Sequence, residues 1–235
     1  MTDVVCLLSQ QARKPFLVTE FMELGSLRGV LADAGRELGW AVRARMAAEI
    51  AAGMAHLHSL NIVHRDLKSD NCLCDAELNT KVADFGASKL MQAVKAASAT
   101  TATAATATTA FGAGGVGAGQ VATATMTKNT GTPLWMAPEV FEGGSHYGPE
   151  VDVYSFAIIM WELLTRRMPW DEIEATEYIE FYAALCDALE AGRRPAVDPA
   201  DATEHRQYVG MMQKCWAGEP SARPSFETVM FALNL

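Results

Sequence analysis

The sequence is most informative at His64-Arg65-Asp66-Leu67-Lys68-Ser69-Asp70-Asn71, here called the 64–71 loop, and at Asp84-Phe85-Gly86, which follows a short strand-like run. Phosphoryl transfer needs a carboxylate that orients and deprotonates a hydroxyl, oxygen ligands for Mg²⁺, and positive charge near the transferred group. The two segments supply these groups in close succession. Their composition therefore indicates phosphoryl-transfer chemistry.

Each polar residue of these segments suits one part of that chemistry. Asp66 suits the base and Lys68 the phosphate contact. Asn71 and Asp84 suit the metal ligands, because Mg²⁺ prefers hard oxygen donors. Any one of these residues alone would be interpreted as a turn former or a solvated loop residue. Their ordered combination favours the catalytic interpretation.

Three downstream segments support it: Thr130-Gly131-Thr132-Pro133-Leu134-Trp135-Met136-Ala137-Pro138-Glu139, Asp152-Val153-Tyr154-Ser155-Phe156 and Pro220-Ser221-Ala222-Arg223-Pro224-Ser225-Phe226. With them the chain resembles the protein kinase family, whose catalytic loop, Asp-Phe-Gly and Ala-Pro-Glu motifs occur in this order. The resemblance extends from Leu7 almost to Leu235. It implies an α+β, protein-kinase-like fold that consists mainly of the helical C-terminal lobe, with two small-lobe strands and the hinge.

The resemblance also implies a domain organisation. A partial kinase domain would occupy residues 1–235, and residues 1–22 would hold strands four and five of the small lobe and the start of the hinge. Residues 23–235 would form the C-terminal lobe. Residues 93–127 are almost entirely Ala, Thr and Gly, so they carry too little apolar bulk to pack on a core. We predict that they are a disordered insertion in the activation segment.

The cofactors implied by the resemblance are ATP and Mg²⁺. Each apolar residue around the implied nucleotide site would, taken alone, be interpreted as plain core. The assignments therefore depend on the resemblance. The implied residues are Thr19 as gatekeeper, the backbones of Glu20 and Met22 as adenine partners, Leu73 as the floor beneath the base, and His64 with Phe85 in the spine that links the lobes.

Two motifs concern the substrate. Lys68 with the three residues after it, and Gly131-Thr132-Pro133-Leu134, resemble Ser/Thr kinases rather than tyrosine kinases, and Thr132 would hydrogen-bond near Asp66 and Lys68. The pairs Trp135-Met136 and Cys215-Trp216 resemble the tyrosine-kinase-like group of Ser/Thr enzymes. We therefore predict transfer of the γ-phosphoryl group of ATP to Ser or Thr hydroxyls of a protein substrate in signal transduction.

One basic residue of the 64–71 loop is implied to have a regulatory role. Arg65 would give a cationic partner to a phosphate on the activation segment. Thr127 and Thr130 are the candidate acceptors of that phosphate.

Three charged residues are implied to brace the site. Asp152 would hold the backbone of the 64–71 loop. Glu139 and Arg223 are predicted to form a buried or half-buried ion pair that fastens the activation segment to the helical core.

The composition limits the classes of partner. The 235 residues are 50% hydrophobic, which suffices for a buried core, and a net charge of -9 argues against nucleic acid or an anionic membrane as a partner. The five cysteines are scattered and odd in number, which favours a reducing, cytoplasmic location. Cys72 and Cys74 are predicted to be packed thiols rather than metal ligands. No apolar run is long enough to span a bilayer.

Hydrophobic periodicity predicts the elements around these motifs. The predicted strands lie at residues 4–9, 16–21, 62–64, 72–74 and 81–83. The predicted helices lie at about residues 46–59, 151–165, 174–189, 208–216 and 226–233. The helix at 151–165 is apolar nearly all round, so it should be central to its domain.

The region before Val4 contains no Gly-x-Gly-x-x-Gly loop, no strand-three Lys and no helix-C Glu. In the family those parts cover and align the phosphates. We therefore expect an incomplete gene model or fragment of an active Ser/Thr kinase, and poor phosphorylation by this chain alone. Two alternatives stay open: a non-catalytic, pseudokinase-like scaffold, and a tyrosine or dual-specificity kinase.

Overall fold

The computed structural model describes residues 19–84, 89–90, 132–141 and 148–233, with residues 89, 90 and 132 described by their backbone alone. Outside this part of the chain lie the predicted strand at 4–9, the first half of that at 16–21, the predicted insertion at 93–127, and Phe85, Thr127 and Thr130. Residues 19–21 have irregular backbone, so the strand prediction is wrong there. The chain turns soon afterwards, where Gly25 N donates to Met22 O at 3.1 Å and Gly25 has a φ of 69°.

Two small antiparallel sheets lie beside the 64–71 loop. The first has the strand order β1-β3-β4, and the second pairs β2 with β5. Cys74 lies opposite both Gly25 and Thr80, so β3 is the central strand of the first sheet. The short strands predicted from residue 62 onward are confirmed. The strands are β1 (Gly25–Ser26), β2 (Ile62–Val63), β3 (Cys72–Cys74), β4 (Thr80–Val82) and β5 (Lys89–Leu90).

Helices make up most of the remaining described chain. They are α1 (Leu27–Ala32), α2 (Trp40–Ser59), α3 (Pro138–Phe141), α4 (Glu150–Thr165), α5 (Tyr178–Glu190), α6 (Pro199–Glu204), α7 (Arg206–Cys215) and α8 (Phe226–Ala232). Short 3₁₀ turns occur at Ser69–Asn71, Thr132–Trp135 and Pro220–Ala222. The predicted helices are confirmed, except that α2 begins at Trp40 instead of residue 46 and α5 begins at Tyr178 instead of residue 174.

Helix α4 is the centre of the fold, as its composition predicted. Every residue from Val151 to Leu164 is buried, and the helix packs against α2, α7 and the Thr132–Trp135 turn. It ends at Arg166, whose φ of 57° places the residue in the left-handed region and whose N–H donates to Glu162 O at 2.7 Å. Among the described residues, no helix combines the length and apolar character needed to cross a membrane.

Helix α2 holds the first sheet against the core. It packs against both β4 and α8. At Gly53 a Cβ atom would come within 3.3 Å of Val82 Cγ2, so a side chain there would require Val82 to shift by a few tenths of an ångström. The absence of a side chain at Gly53 therefore suits this close approach.

The thiols of Cys72 and Cys74 are both fully buried, and burial is the main cause that raises the pKa of each. No group of three His, Cys, Asp or Glu residues that could hold a metal occurs in the described chain. The burial of both side chains confirms that Cys72 and Cys74 are packed in the core.

The central position of α4 gives a direct test. Ile158→Ala should lower the free energy of unfolding by about 2–5 kcal/mol, because the truncation removes buried apolar surface and leaves a cavity. The measurement is urea denaturation followed by circular dichroism. Ile179→Ala is the matched control, since Ile179 is 81% exposed whereas Ile158 is fully buried. Equal effects of the two substitutions would contradict the central position of α4.

Candidate active site

The carboxylate of Asp152, at the start of α4, fixes the beginning of the 64–71 loop. Its Oδ2 accepts from His64 N and its Oδ1 from Arg65 N, each at 2.8 Å, and His58 Nε2 lies 2.8 Å from Oδ2. Asp152 is fully buried, so these donors replace the water that would otherwise solvate the charge. Arg65 takes a φ of 71°, which lets two successive amides reach one carboxylate. The loop is thereby attached to the central helix.

The buried ring of His64 links the loop to the segment after β4. Asp66 N donates to His64 Nδ1 at 3.3 Å, so the proton is on Nε2, which lies 3.0 Å from Ala83 O. Ala83 N in turn donates to Asn71 O at 2.8 Å. These bonds hold Ala83 on both sides and place Asp84 beside the loop.

Asp66, Lys68 and Asn71 form one hydrogen-bonded cluster. Lys68 Nζ lies 3.0 Å from Asp66 Oδ2. Asn71 Nδ2 donates to the same oxygen at 3.1 Å and to Asp66 O at 2.7 Å. The side chains of Asp66 and Lys68 are 25% and 18% exposed. The carboxylate is therefore held in place and still accessible from solvent.

Asp84 supplies an exposed carboxylate next to this cluster. Its φ is 60°, in the left-handed region. The amide nitrogen of Asn71 is bonded to Asp66, so the amide oxygen of Asn71 is the atom left for another partner. An amide oxygen and a carboxylate are hard donors that fit Mg²⁺.

Of the residues predicted for the nucleotide, Leu73 lies on β3, the central strand of the first sheet, and the others precede β1. Thr19 and Glu20 are exposed, whereas Met22 is buried. Glu20 forms an ion pair with Lys81, which lies opposite Leu73 in the register of β3 and β4. The ion pair thus connects Glu20 to the two strands that carry Leu73 and Lys81.

Residues 132–135, here called the 132–135 turn, pack over the middle of α4. Ser155 Oγ donates to Trp135 O at 2.8 Å, and Trp135 Nε1 donates to Glu162 Oε2 at 2.7 Å. A small cavity separates Asp66 from Trp135 and Met136. The side chain of Thr132 is outside the described part of the chain, so its contact with Asp66 and Lys68 stays a prediction.

Glu162 is a residue that the sequence analysis did not assign to the site. Its side chain is fully buried and bonded to Ser69 as well as to Trp135. The signal available in the sequence was a carboxylate inside an otherwise apolar helix, which needs buried partners.

Glu139 and Arg223 form a bidentate ion pair, with Nη1 to Oε1 at 2.6 Å and Nη2 to Oε2 at 2.8 Å. The Arg223 side chain is fully buried and that of Glu139 is 22% exposed. Arg223 also donates to the carbonyl oxygens of Ala217 and Glu150. The pair joins α3 to the start of α4 and to the turn before α8.

The order of these groups matches a known family over nearly the whole chain. The protein kinase domain model matches residues 4–232. The chain belongs to the protein kinase family. Its described helices and antiparallel strands agree with the predicted α+β, kinase-like fold.

Curated relatives of this kinase domain occur in Dictyostelium discoideum. Cyclic GMP-binding protein C is 35% identical, with 93% of this chain and 7% of the relative covered. A probable serine/threonine-protein kinase is 34% identical, with 93% and 13% covered. Dual specificity protein kinase shkA is 35% identical, with 94% and 36% covered. The kinase domain thus spans only a minor part of the length of these relatives.

The Glu139–Arg223 pair gives a second test. Arg223→Ala should lower the free energy of unfolding by about 3–5 kcal/mol, because it leaves Glu139 and two carbonyl oxygens without their cation. Thermal and urea unfolding measure the effect. Arg193→Ala, at an exposed arginine, is the control and should change stability by less than about 0.5 kcal/mol. A loss no larger than the control's would mean that the pair contributes nothing to the fold.

Proposed function

We propose that this kinase domain transfers the γ-phosphoryl group of ATP to Ser or Thr hydroxyls of a protein substrate. The observation that carries the proposal is the cluster of Asp66, Lys68 and Asn71. In this cluster an accessible carboxylate is held by an ammonium group at 3.0 Å and an amide at 3.1 Å. Because phosphoryl transfer depends mainly on positioning and electrostatics, a fixed cluster of this kind suits it.

Asp66 would orient the attacking hydroxyl and accept its proton. The backbone of Asp66 is fixed by the Asp152 bonds to the two preceding residues, and its N–H is bonded to His64. The ammonium group of Lys68 lies beside the carboxylate and would offset negative charge on the transferred phosphoryl group. Thr132 would add a hydrogen bond near these two side chains.

Asn71 and Asp84 would hold Mg²⁺, which when bound would neutralise charge on the ATP phosphates. The orientation of the Asn71 amide supports this role, because its nitrogen faces Asp66 and leaves the oxygen for a cation. For the adenine we propose the backbones of Glu20 and Met22, with Thr19 as gatekeeper and Leu73 as the floor.

The preference for Ser and Thr is supported by Lys68 and the residues after it, and by the Gly131–Leu134 motif. Dual specificity is a second candidate, because a relative that is 35% identical is named a dual specificity protein kinase. Peptides that differ only in a Ser, Thr or Tyr acceptor distinguish the two. We also propose that the domain belongs to the tyrosine-kinase-like group of Ser/Thr kinases, on the basis of Trp135-Met136 and Cys215-Trp216.

We also propose that the domain is regulated by phosphorylation. Arg65 would bind a phosphate on Thr127 or Thr130, and it lies next to Asp66 in the loop held by Asp152. A bound phosphate would thereby stabilise the active arrangement of the activation segment.

Asp66→Asn tests the transfer reaction. Relative to the parent protein, kcat for a Ser peptide should fall by roughly 10²–10⁴, because the variant keeps the shape of the side chain but loses the base. The Kd for ATP, measured by calorimetry, should stay within about twofold, because Asp66 meets the substrate and not the nucleotide.

Asp187→Asn, at an exposed carboxylate on α5, is the control and should leave kcat unchanged. An unaltered kcat in Asp66→Asn would remove Asp66 from the reaction. ATP binding without transfer in the parent protein would favour the scaffold alternative.

Asp84→Asn tests the metal site. Asparagine tolerates the left-handed φ of 60° at this position but lacks the charge. The Mg²⁺ concentration for half-maximal rate should rise on the order of tenfold or more, and kcat should fall with it. Glu77→Gln, at an exposed carboxylate before β4, is the control. A Mg²⁺ dependence equal to that of the parent would place the metal elsewhere.

A further inference from the structure

An apolar groove, here called the aromatic groove, lies between the 132–135 turn, the segment after α4 and the start of α5. Its volume is about 290 Å³, and no step of the proposed reaction uses it. Its walls are mainly apolar and aromatic side chains, among them those of Pro133, Leu134, Trp170, Ile173, Tyr178 and Tyr182. The groove is therefore a candidate binding surface outside the cluster of Asp66, Lys68 and Asn71.

The walls of the aromatic groove are held in place by contacts within the domain. The indole of Trp170 is buried and donates from Nε1 to Leu134 O at 3.3 Å. The rings of Tyr178 and Tyr182, one helical turn apart on α5, stack with their centroids 6.4 Å apart. Of the lining residues, Tyr178 is 44% exposed and Met168 is 36% exposed. The groove is thus already formed and is open to solvent.

The size and chemistry of the groove fit a large apolar side chain better than a small polar molecule. Small-molecule pockets typically enclose roughly 300–1,000 Å³ and place a few polar groups around the ligand. The aromatic groove is at the lower limit of that range, and the indole N–H of Trp170 is already bonded to Leu134. Well-packed pockets at protein interfaces hold the anchor side chains of the partner. The occupant should therefore present an aromatic or large aliphatic side chain.

A strongly acidic segment borders the aromatic groove. Residues 171–180 contain five carboxylates and no Lys or Arg. All five are exposed, namely those of Asp171, Glu172, Glu174, Glu177 and Glu180. Asp171 is bonded to Arg167. Glu172, Glu174 and Glu177 make no ion pair within the described part of the chain. A partner with Lys or Arg beside its apolar anchor would therefore complement both features of this surface.

The same charges argue against a second copy of this chain as the occupant. In a symmetric dimer closed through this face, the two acidic segments would lie opposite each other, because the same patch meets itself. Like charges in such a contact are unfavourable. A contact with another face of a second copy is disfavoured as well, since the chain carries a net charge of -9. The favoured occupant is therefore a basic segment of a different protein.

The groove shares the 132–135 turn with the proposed active site. Pro133 and Leu134 line the groove, whereas Trp135 lines the small cavity beside Asp66. A protein bound in the groove is therefore held next to the turn that leads to Asp66.

We propose that the aromatic groove is a docking site for a basic segment of the protein substrate, with an aromatic or large aliphatic side chain as its anchor. This inference rests on the proposed phosphoryl transfer. The anchor would enter the groove, and Lys or Arg residues beside it would pair with Glu172, Glu174 and Glu177. The docked segment would lie outside the acceptor sequence itself. Docking would raise the effective concentration of the acceptor near Asp66 without changing the transfer step.

Peptide binding tests the chemistry of the occupant and needs no activity. The probe is a short fluorescein-labelled peptide with a central Phe between Arg residues, and its anisotropy is measured at increasing concentrations of the protein. The probe should bind saturably. Replacement of the Phe by Ala, or of the Arg residues by Gln, should raise the Kd on the order of tenfold or more. Added NaCl should weaken binding of the probe, because the acidic segment is exposed.

A first pair of variants tests the wall of the groove. Tyr178→Ala removes part of that wall and should raise the Kd of the probe on the order of tenfold. Ile179→Ala is the matched control, because Ile179 is the next residue of α5, is 81% exposed and does not line the groove. It should leave the Kd within about twofold. Circular dichroism checks that both variants are folded.

A second pair of variants tests the acidic segment, with exposed residues only. The triple variant with Glu172→Gln, Glu174→Gln and Glu177→Gln should also raise the Kd of the probe on the order of tenfold. Its control removes three exposed carboxylates elsewhere, by Asp187→Asn, Glu190→Gln and Glu204→Gln. Both triple variants change the net charge equally, so a difference between their Kd values reports the position of the charges.

Kinetics test whether the docked segment belongs to a substrate. A Ser acceptor peptide is compared with the same peptide joined to the Phe and Arg segment by flexible linkers of increasing length. The best linker should lower the KM of the peptide on the order of tenfold or more and leave kcat within about twofold, because docking adds uniform binding. Tyr178→Ala should abolish this gain and leave the KM of the unlinked acceptor unchanged, which general damage to the active site would not do.

The outcomes separate this inference from the proposed function. Absence of phosphorylation in every protein would refute the proposed function, and the anisotropy measurements would then decide docking alone. Equal binding of the three peptides, or binding unaffected by Tyr178→Ala and by the triple variant of the acidic segment, would overturn the inference. So would a concentration-dependent dimer that Tyr178→Ala abolishes and that excludes the probe. In an active enzyme, a KM that no linker length lowers would overturn it as well.

Discussion

The geometry of this domain depends on a buried carboxylate, that of Asp152, which must be compensated inside the apolar core. Two amides of the 64–71 loop and the ring of His58 provide the compensation. Without Asp152, the amides of His64 and Arg65 would lose their acceptor in a place that water does not reach, at a cost of roughly 1–3 kcal/mol for each group. The packing of α4 and the conformation of the loop therefore depend on the same side chain, Asp152.

Beyond the Asp152 bonds, the residues of the site are held in place by hydrogen bonds rather than by apolar contacts. His64 holds Ala83, Ala83 holds Asn71, and Asn71 holds Asp66. All four residues lie in loops or turns, which have little apolar surface to bury. The hydrogen bonds therefore supply the rigidity that packing supplies elsewhere, and they keep the carboxylate of Asp66 both ordered and accessible.

The sequence predicted those parts of the structure that have a local signature. The helix α4 was visible from its apolar run, and the 64–71 loop from a dense set of polar residue types. Hydrophobic periodicity describes turns and exposed surfaces poorly. It therefore did not predict the irregular backbone at residues 19–21, the late start of α5 or the short helix α6. The partners of Glu162 were not visible, because Ser69 and Trp135 lie 93 and 27 residues away along the chain. The sequence gives the charge of a residue, but only the tertiary fold gives its partners.

The left-handed backbone at Arg65 and Asp84 limits how this domain could be engineered. A non-glycine residue in that region costs roughly 1–2 kcal/mol, and less for Asp than for Arg. The free energy of unfolding of a typical domain is only about 5–15 kcal/mol, so the strain at these two positions is a substantial fraction of it. Glycine at either position would relieve the strain and raise thermal tolerance, yet it would also release the conformation that aims the neighbouring groups. A thermostable version of the domain should therefore be sought in the exposed faces of α5 and α8, where gains in stability do not loosen the loop.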